Sequence, residues 1–158
     1  MLGGTWYVFG KPHGRGGGPS SCLAQTLSTC PQLARLVRRL ILHTFDNEYS
    51  TTQDHIKILQ HCPNLEDLKI YGYNGYLLDS YRLTVESLHN LRTLNISSYP
   101  LANREYSTDH FFQGGELLAV LLRTPQIEQV CVPYVVDDVQ LQTLTWYCNE
   151  KGIELARF

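Results

Sequence analysis

The sequence predicts an α/β solenoid: a short right-handed stack of about five β-α units with a parallel sheet on the concave side. Three observations predict it. The first is a recurring apolar frame, one apolar residue, two others, a second apolar residue, one other, then a third. It is filled by Leu65, Leu68 and Ile70, by Leu91, Leu94 and Ile96, and by Ile127, Val130 and Val132. Val37, Leu40 and Leu42 fill it earlier, and Ile153 with Leu155 gives a partial copy. The second is a helical pattern before each copy, broken by Pro31, Pro63 and Pro125 in three of them. The third is the spacing. The second apolar position falls at residues 40, 68, 94, 130 and 153, at intervals of 28, 26, 36 and 23.

Periods in the 20s with one short strand and one helix per unit define leucine-rich repeats. Alternation along each strand makes one face apolar, and a single unit cannot bury that face alone. Stacking supplies the burial, about 1.5–3 kcal/mol for each leucine or isoleucine. The interval of 36 carries an insertion at 97–112.

Residues 1–20 read as a separate, mobile glycine-rich arm, with the repeat domain over 21–158. Seven of the 12 glycines lie there, and glycine loses the most conformational freedom on ordering. The run GRGGG lacks the Lys-Ser/Thr ending of a phosphate loop. Ser20 or Ser21 can cap a helix over about 21–29 with Leu23 and Leu27 on one face. Pro31 ends it. Two registers compete next. Leu33 and Leu36 would force Arg38 into the core, so Val37, Leu40 and Leu42 are the better frame. This leaves Gln32 to Leu36 as an extra turn.

Thr51 or Thr52 can cap the following helix, with Ile56, Leu59 and Cys62 inward. A tyrosine- and glycine-rich loop and a short helix ending near His89 lead to the third frame. A helix over Glu116–Arg123 carries Leu117, Leu118, Leu121 and Leu122. Asp137 or Asp138 caps the last helix, with Leu141, Leu144 and Cys148 inward. Gly152 takes the position just past its end. The Val37–Leu42 end is expected to be open or only loosely covered, and the strand at 153–157 to be an unpaired edge prone to self-association.

Composition narrows the function. A hydrophobic fraction of 43% supports a core, and a net charge of -2 lacks the basic surplus of a nucleic-acid binder. No apolar run suits a membrane span, and residues 1–18 lack the order of a signal peptide. Five cysteines with no C-x-x-C pair argue against a disulfide framework or zinc site. An intracellular location, cytoplasmic or nuclear, follows. The six histidines show no metal spacing, and neither metal nor other cofactor is expected.

The chain resembles the leucine-rich-repeat region of fungal F-box proteins over roughly residues 22–158. The residues that carry this are CPQLARLVRRLIL (30–42), ILQHCPNLEDLKI (58–70), LHNLRTLNI (88–96) and LLRTPQIEQVCV (121–132). In that family a helix ends in Cys- or Thr-Pro before a strand of leucines. The first unit often carries the pattern found here in Leu33, Ala34, Val37, Arg38 and Leu40. The resemblance implies a protein-binding module, the substrate-reading half of a ubiquitin-ligase adaptor. Residues 1–20 are too short and glycine-rich to be the F-box. Ligase association is therefore expected only if an F-box is supplied elsewhere.

In such a solenoid the residues between the strand leucines face outward on the concave side. They are Arg39, Ile41 and His43; Asp67, Lys69 and Tyr71; Thr93, Asn95 and Ser97; Gln129 and Cys131; and Glu154. The set is chemically mixed, which suits a protein or peptide partner better than a single charged ligand. Tyr71, Tyr73, Tyr76, Tyr99, Tyr106 and Tyr134 follow strands and should gather along one rim, where tyrosine favours interfaces. Arg35, Arg38 and Arg39 form a basic cluster that reads as a solvated face, with pairing of Arg38 to a carboxylate as the alternative. Two further alternatives are a repeat scaffold without a ligase link and a small thiol-dependent hydrolase. The latter would use Cys62 or Cys131 with a histidine.

Overall fold

The computed structural model describes residues 5–9, 19–43, 49–71, 77–97, 114–132 and 138–157. Side chains are described for all of these except 5–9, 49–52, 77–80, 97 and 114–116. Six strands, β1 (Thr5–Phe9), β2 (Arg39–His43), β3 (Asp67–Tyr71), β4 (Thr93–Ser97), β5 (Gln129–Val132) and β6 (Glu154–Arg157), form one parallel sheet. Their spatial order is their sequence order. The helices are α1 (Pro19–Thr29), a single turn α2 (Pro31–Ala34), α3 (Tyr49–His61), α4 (Leu77–Glu86), α5 (Gly114–Arg123) and α6 (Asp138–Lys151). The result is five alternating β-α units followed by β6. Parallel neighbours need a crossover of one hand, so a sequential strand order puts every crossover helix on the same face. Accordingly α1, α3, α4, α5 and α6 each pack on the next.

The apolar frame is the core. Val37, Leu40, Leu42, Leu65, Leu68, Ile70, Leu91, Leu94, Ile96, Ile127, Val130 and Val132 are all essentially inaccessible. Register aligns Leu40, Leu68, Leu94, Val130 and Leu155 in one row across the sheet. The competing register fails as expected: Leu33 and Leu36 are exposed, while Arg38 turns out to meet Glu66. The last copy of the frame is displaced. Leu155, and not Ile153, stands beside Val130. The α6 exit explains this: Gly152 adopts φ of 68° and the Ile153 amide donates to the Cys148 carbonyl at 2.8 Å. That six-to-one closure is the helix ending glycine permits, and it shortens the run into β6.

Three units use the same helix-to-strand turn. The amides of Cys62, Leu88 and Thr124 donate to the carbonyls of Leu59, Val85 and Leu121, and those of Leu65, Leu91 and Ile127 to Cys62, Leu88 and Thr124. Thr124 replaces cysteine there and satisfies its hydroxyl on the Val120 carbonyl at 2.8 Å. The entry to each strand is also shared. Glu66, Arg92 and Glu128 each donate an amide, at 2.8 Å, to the matching carbonyl of the unit before, and Glu154, one register position later, donates to Glu128 at the same distance.

The largest departure from expectation is at the start. Thr5–Phe9 is a strand paired with β2 over five residues, so the Val37–Leu42 end is covered and not open. Thr5, Trp6, Tyr7, Val8 and Phe9 all favour strands, a signal that the glycine content of residues 1–20 obscures. Residues 10–18 lie outside the described residues. Pro19 starts α1 two residues earlier than expected, in the first-turn position proline tolerates. Helix faces shift by one residue in two places. In α3 the inward side chains are His55, Ile58, Leu59 and, just past its end, Cys62, with Ile56 only partly buried. In α5, Val120 is inward and Leu122 is exposed. Strand β6 pairs only with β5 among the described residues, as expected of an edge.

Candidate interaction face

The face of the sheet away from the helices carries the predicted residues in three rows. Arg39, Asp67, Thr93, Gln129 and Glu154 share one row; Ile41, Lys69, Asn95 and Cys131 the next, which Ala156 extends; His43, Tyr71 and Ser97 the third. Strand β1 adds register positions at Thr5, Tyr7 and Phe9. Every predicted strand residue thus falls on one side, because the strands keep a strict period of two. The side chain of Ser97 is not described, and Tyr73, Tyr76, Tyr99, Tyr106 and Tyr134 lie outside the described residues.

Exposure varies across this face. Arg39 and Glu154 are exposed, and Ile41, His43, Asp67, Lys69, Tyr71, Thr93 and Gln129 are half-buried. Asn95 and Cys131 are buried, at 6% and 5% exposure. Both stand in the middle row, with a residue in register on either side. At one end of the face the His43 and Tyr71 rings stack, with centroids 5.0 Å apart.

Electrostatics single out the same centre. Burial pushes the Cys131 thiol above its usual range; Lys69 pulls it down, and Glu154 and Asp67 push it up. Asp67 Oδ1 and Asn95 Oδ1 are buried and accept no hydrogen bond. Lys69 and Arg39, their neighbours in register, form no hydrogen bond or ion pair among the described residues.

Along the strand-entry rim, two features repeat from unit to unit. Side-chain amides of Asn64, Asn90 and Gln126 donate to the carbonyls of Arg35, Pro63 and Leu88 in the preceding unit. Arg38 pairs with Glu66, and Arg92 with Glu128, each at 3.0 Å. The amides precede Leu65, Leu91 and Ile127, the first residue of each frame. That shared position was the available signal for them.

A second constellation had no signal in spacing. His55 Nε2 lies 3.3 Å from Ser20 Oγ, and its Nδ1 lies 2.8 Å from Tyr81 Oη. The trio ties α1, α3 and α4 together. A serine–histidine pair is nucleophile chemistry in an open cleft, but His55 and Tyr81 are inaccessible and Ser20 is 3% exposed. Burial, and then the charge of His43, lower the His55 pKa to about 4, which keeps the ring neutral.

The cysteines are similarly enclosed. Burial pushes the Cys62 thiol up to about 11 and raises Cys148. Neither Cys62 nor Cys131 hydrogen-bonds an imidazole among the described residues. The described residues contain no cluster of three metal-ligating side chains, and no helix among them is long and apolar enough to cross a membrane. Compared with known proteins, the chain matches no family model, no curated sequence and no solved structure.

Proposed function

We propose that this chain is a protein-interaction module of the leucine-rich-repeat type, a short solenoid whose outward sheet face takes a protein or peptide partner. The observation that carries the proposal is the middle of that face. Five parallel strands bring polar side chains of both charges into register around two buried acceptors that have no partner. Unpartnered buried polar atoms are uncommon in folded proteins, and a bound partner is one way to complete them. The unit-to-unit recurrence of the turn, of the amide contacts and of the apolar row supports the solenoid reading.

The resemblance to F-box repeat regions gives the proposal its narrower form, substrate reading for a ubiquitin ligase. A photo-crosslinking residue at Thr93 tests the face, with one at Gln60, on the exposed side of α3, as control. Crosslinks to the same protein from Thr93 and not from Gln60 support it; crosslinks from Gln60 alone refute it. Fusing an F-box segment to the chain tests the narrower form. Ligase subunits and the Thr93-crosslinked partner should then be recovered together.

A further inference from the structure

We infer that Asn95 and Asp67 form the anchor of this face, at which an extended peptide segment of a partner is held through two of its main-chain N–H groups. The inference rests on the protein-binding reading above and deepens it. Asn95 is 6% exposed and its Oδ1 accepts nothing. Asp67 Oδ1, one strand over, is equally unpartnered. Asp67 is in register with Thr93, two residues before Asn95 on the same face. Strand geometry puts their Cα atoms on the order of 8 Å apart.

In an extended peptide, N–H groups on the same side repeat about every 7 Å. One segment lying obliquely over β3 and β4 therefore brings successive same-side amides to the two acceptors. Main-chain donors fit better than a cationic side chain, because Lys69 stands in register with Asn95 and Arg39 with Asp67. Those two cations would repel a cationic ligand, yet they suit the carbonyl oxygens that alternate with the amides along a peptide. Both are uncommitted among the described residues. Lys69 is half-buried on a flexible stem that can swing aside as the segment enters.

An anchor and a structural amide respond oppositely to an apolar residue of similar size. Removing an acceptor that has no partner is neutral or stabilising, whereas removing one satisfied within the fold is costly. The experiment uses the full chain and 12-residue peptides selected on it from a random displayed library. Asn95→Leu should leave the urea midpoint unchanged or raised and weaken the best peptide about tenfold, the scale of one or two hydrogen bonds. An N-methyl scan of that peptide should find two sensitive positions on the wild-type chain. One should become insensitive on Asn95→Leu and the other on Asp67→Leu.

A lowered midpoint for Asn95→Leu, a flat N-methyl scan, or a library that yields no binder would overturn the anchor. Peptides lost on Arg39→Glu but indifferent to Asn95→Leu would overturn it too, while leaving the wider reading of the face intact. Binding that survives all three substitutions would remove both.

Discussion

The two faces of one sheet obey different rules. On the helix side, Leu40, Leu68, Leu94 and Val130 repeat one chemistry in one row and are all sealed from solvent. On the other side, the adjacent row Arg39, Asp67, Thr93, Gln129 and Glu154 repeats a position but no chemistry. Packing selects for apolar volume alone, so the inner row converges. Nothing in the fold demands convergence outside. Asn95 and Asp67 make the contrast sharpest, because they keep buried acceptors that the fold leaves unsatisfied.

The largest effect should come from breaking the inner row. Leu94→Ala removes an inaccessible side chain flanked by Leu68 and Val130 and should cost about 2–5 kcal/mol in urea denaturation. Thr93→Ala, next to it and outward, should fall within about 0.5 kcal/mol, the range of most surface changes. Equal costs for the two would mean that the faces do not differ as described.

The helix layer should respond to acid while the inner row does not. His55 titrates near 6.5 when unfolded and is lowered to about 4 in the fold. A group with a depressed folded pKa binds more protons when unfolded, so its stabilisation is whole above 6.5 and is lost as the pH falls toward 4. The loss should be on the order of 3 kcal/mol. His43, on the outward face of the sheet and lowered by partial burial, adds in the same direction. His55→Phe should flatten the curve between those limits, and an unchanged slope would show that the buried ring is not its source.

A smaller effect belongs to the last unit, where the inner row ends at the half-buried Leu155. Gly152→Ala puts a side chain at φ of 68° and should cost roughly 1–2 kcal/mol, the strain of a left-handed residue. An added Cβ meets nothing within 4 Å, so the cost isolates backbone strain from crowding. Smallest of all is the rim. Arg92 and Glu128 pair across units with side chains 53% and 70% exposed. Arg92→Ala should therefore cost no more than about 1 kcal/mol, less still in high salt.

The sequence alone determined the inner half of this protein. A period of two within each strand, repeated at intervals set by one helix and one turn, identified the strands from β2 to β5 and their buried residues. It also identified the parity of the outward residues on those strands. It left the last copy displaced by two residues, because the Gly152 turn that shortens it is a backbone event. It also undervalued Thr5–Phe9, whose strand character is realised only where β2 offers an edge to pair with. Tertiary structure decided the rest. No spacing rule joins Ser20, His55 and Tyr81, since they lie on three helices, α1, α3 and α4, that only the tertiary fold brings together. Nor does alternation reveal that Asn95 and Cys131 are buried while Arg39 and Glu154 are exposed. Periodicity assigns a side chain to a face, but neighbours arriving from distant units decide how much water it keeps.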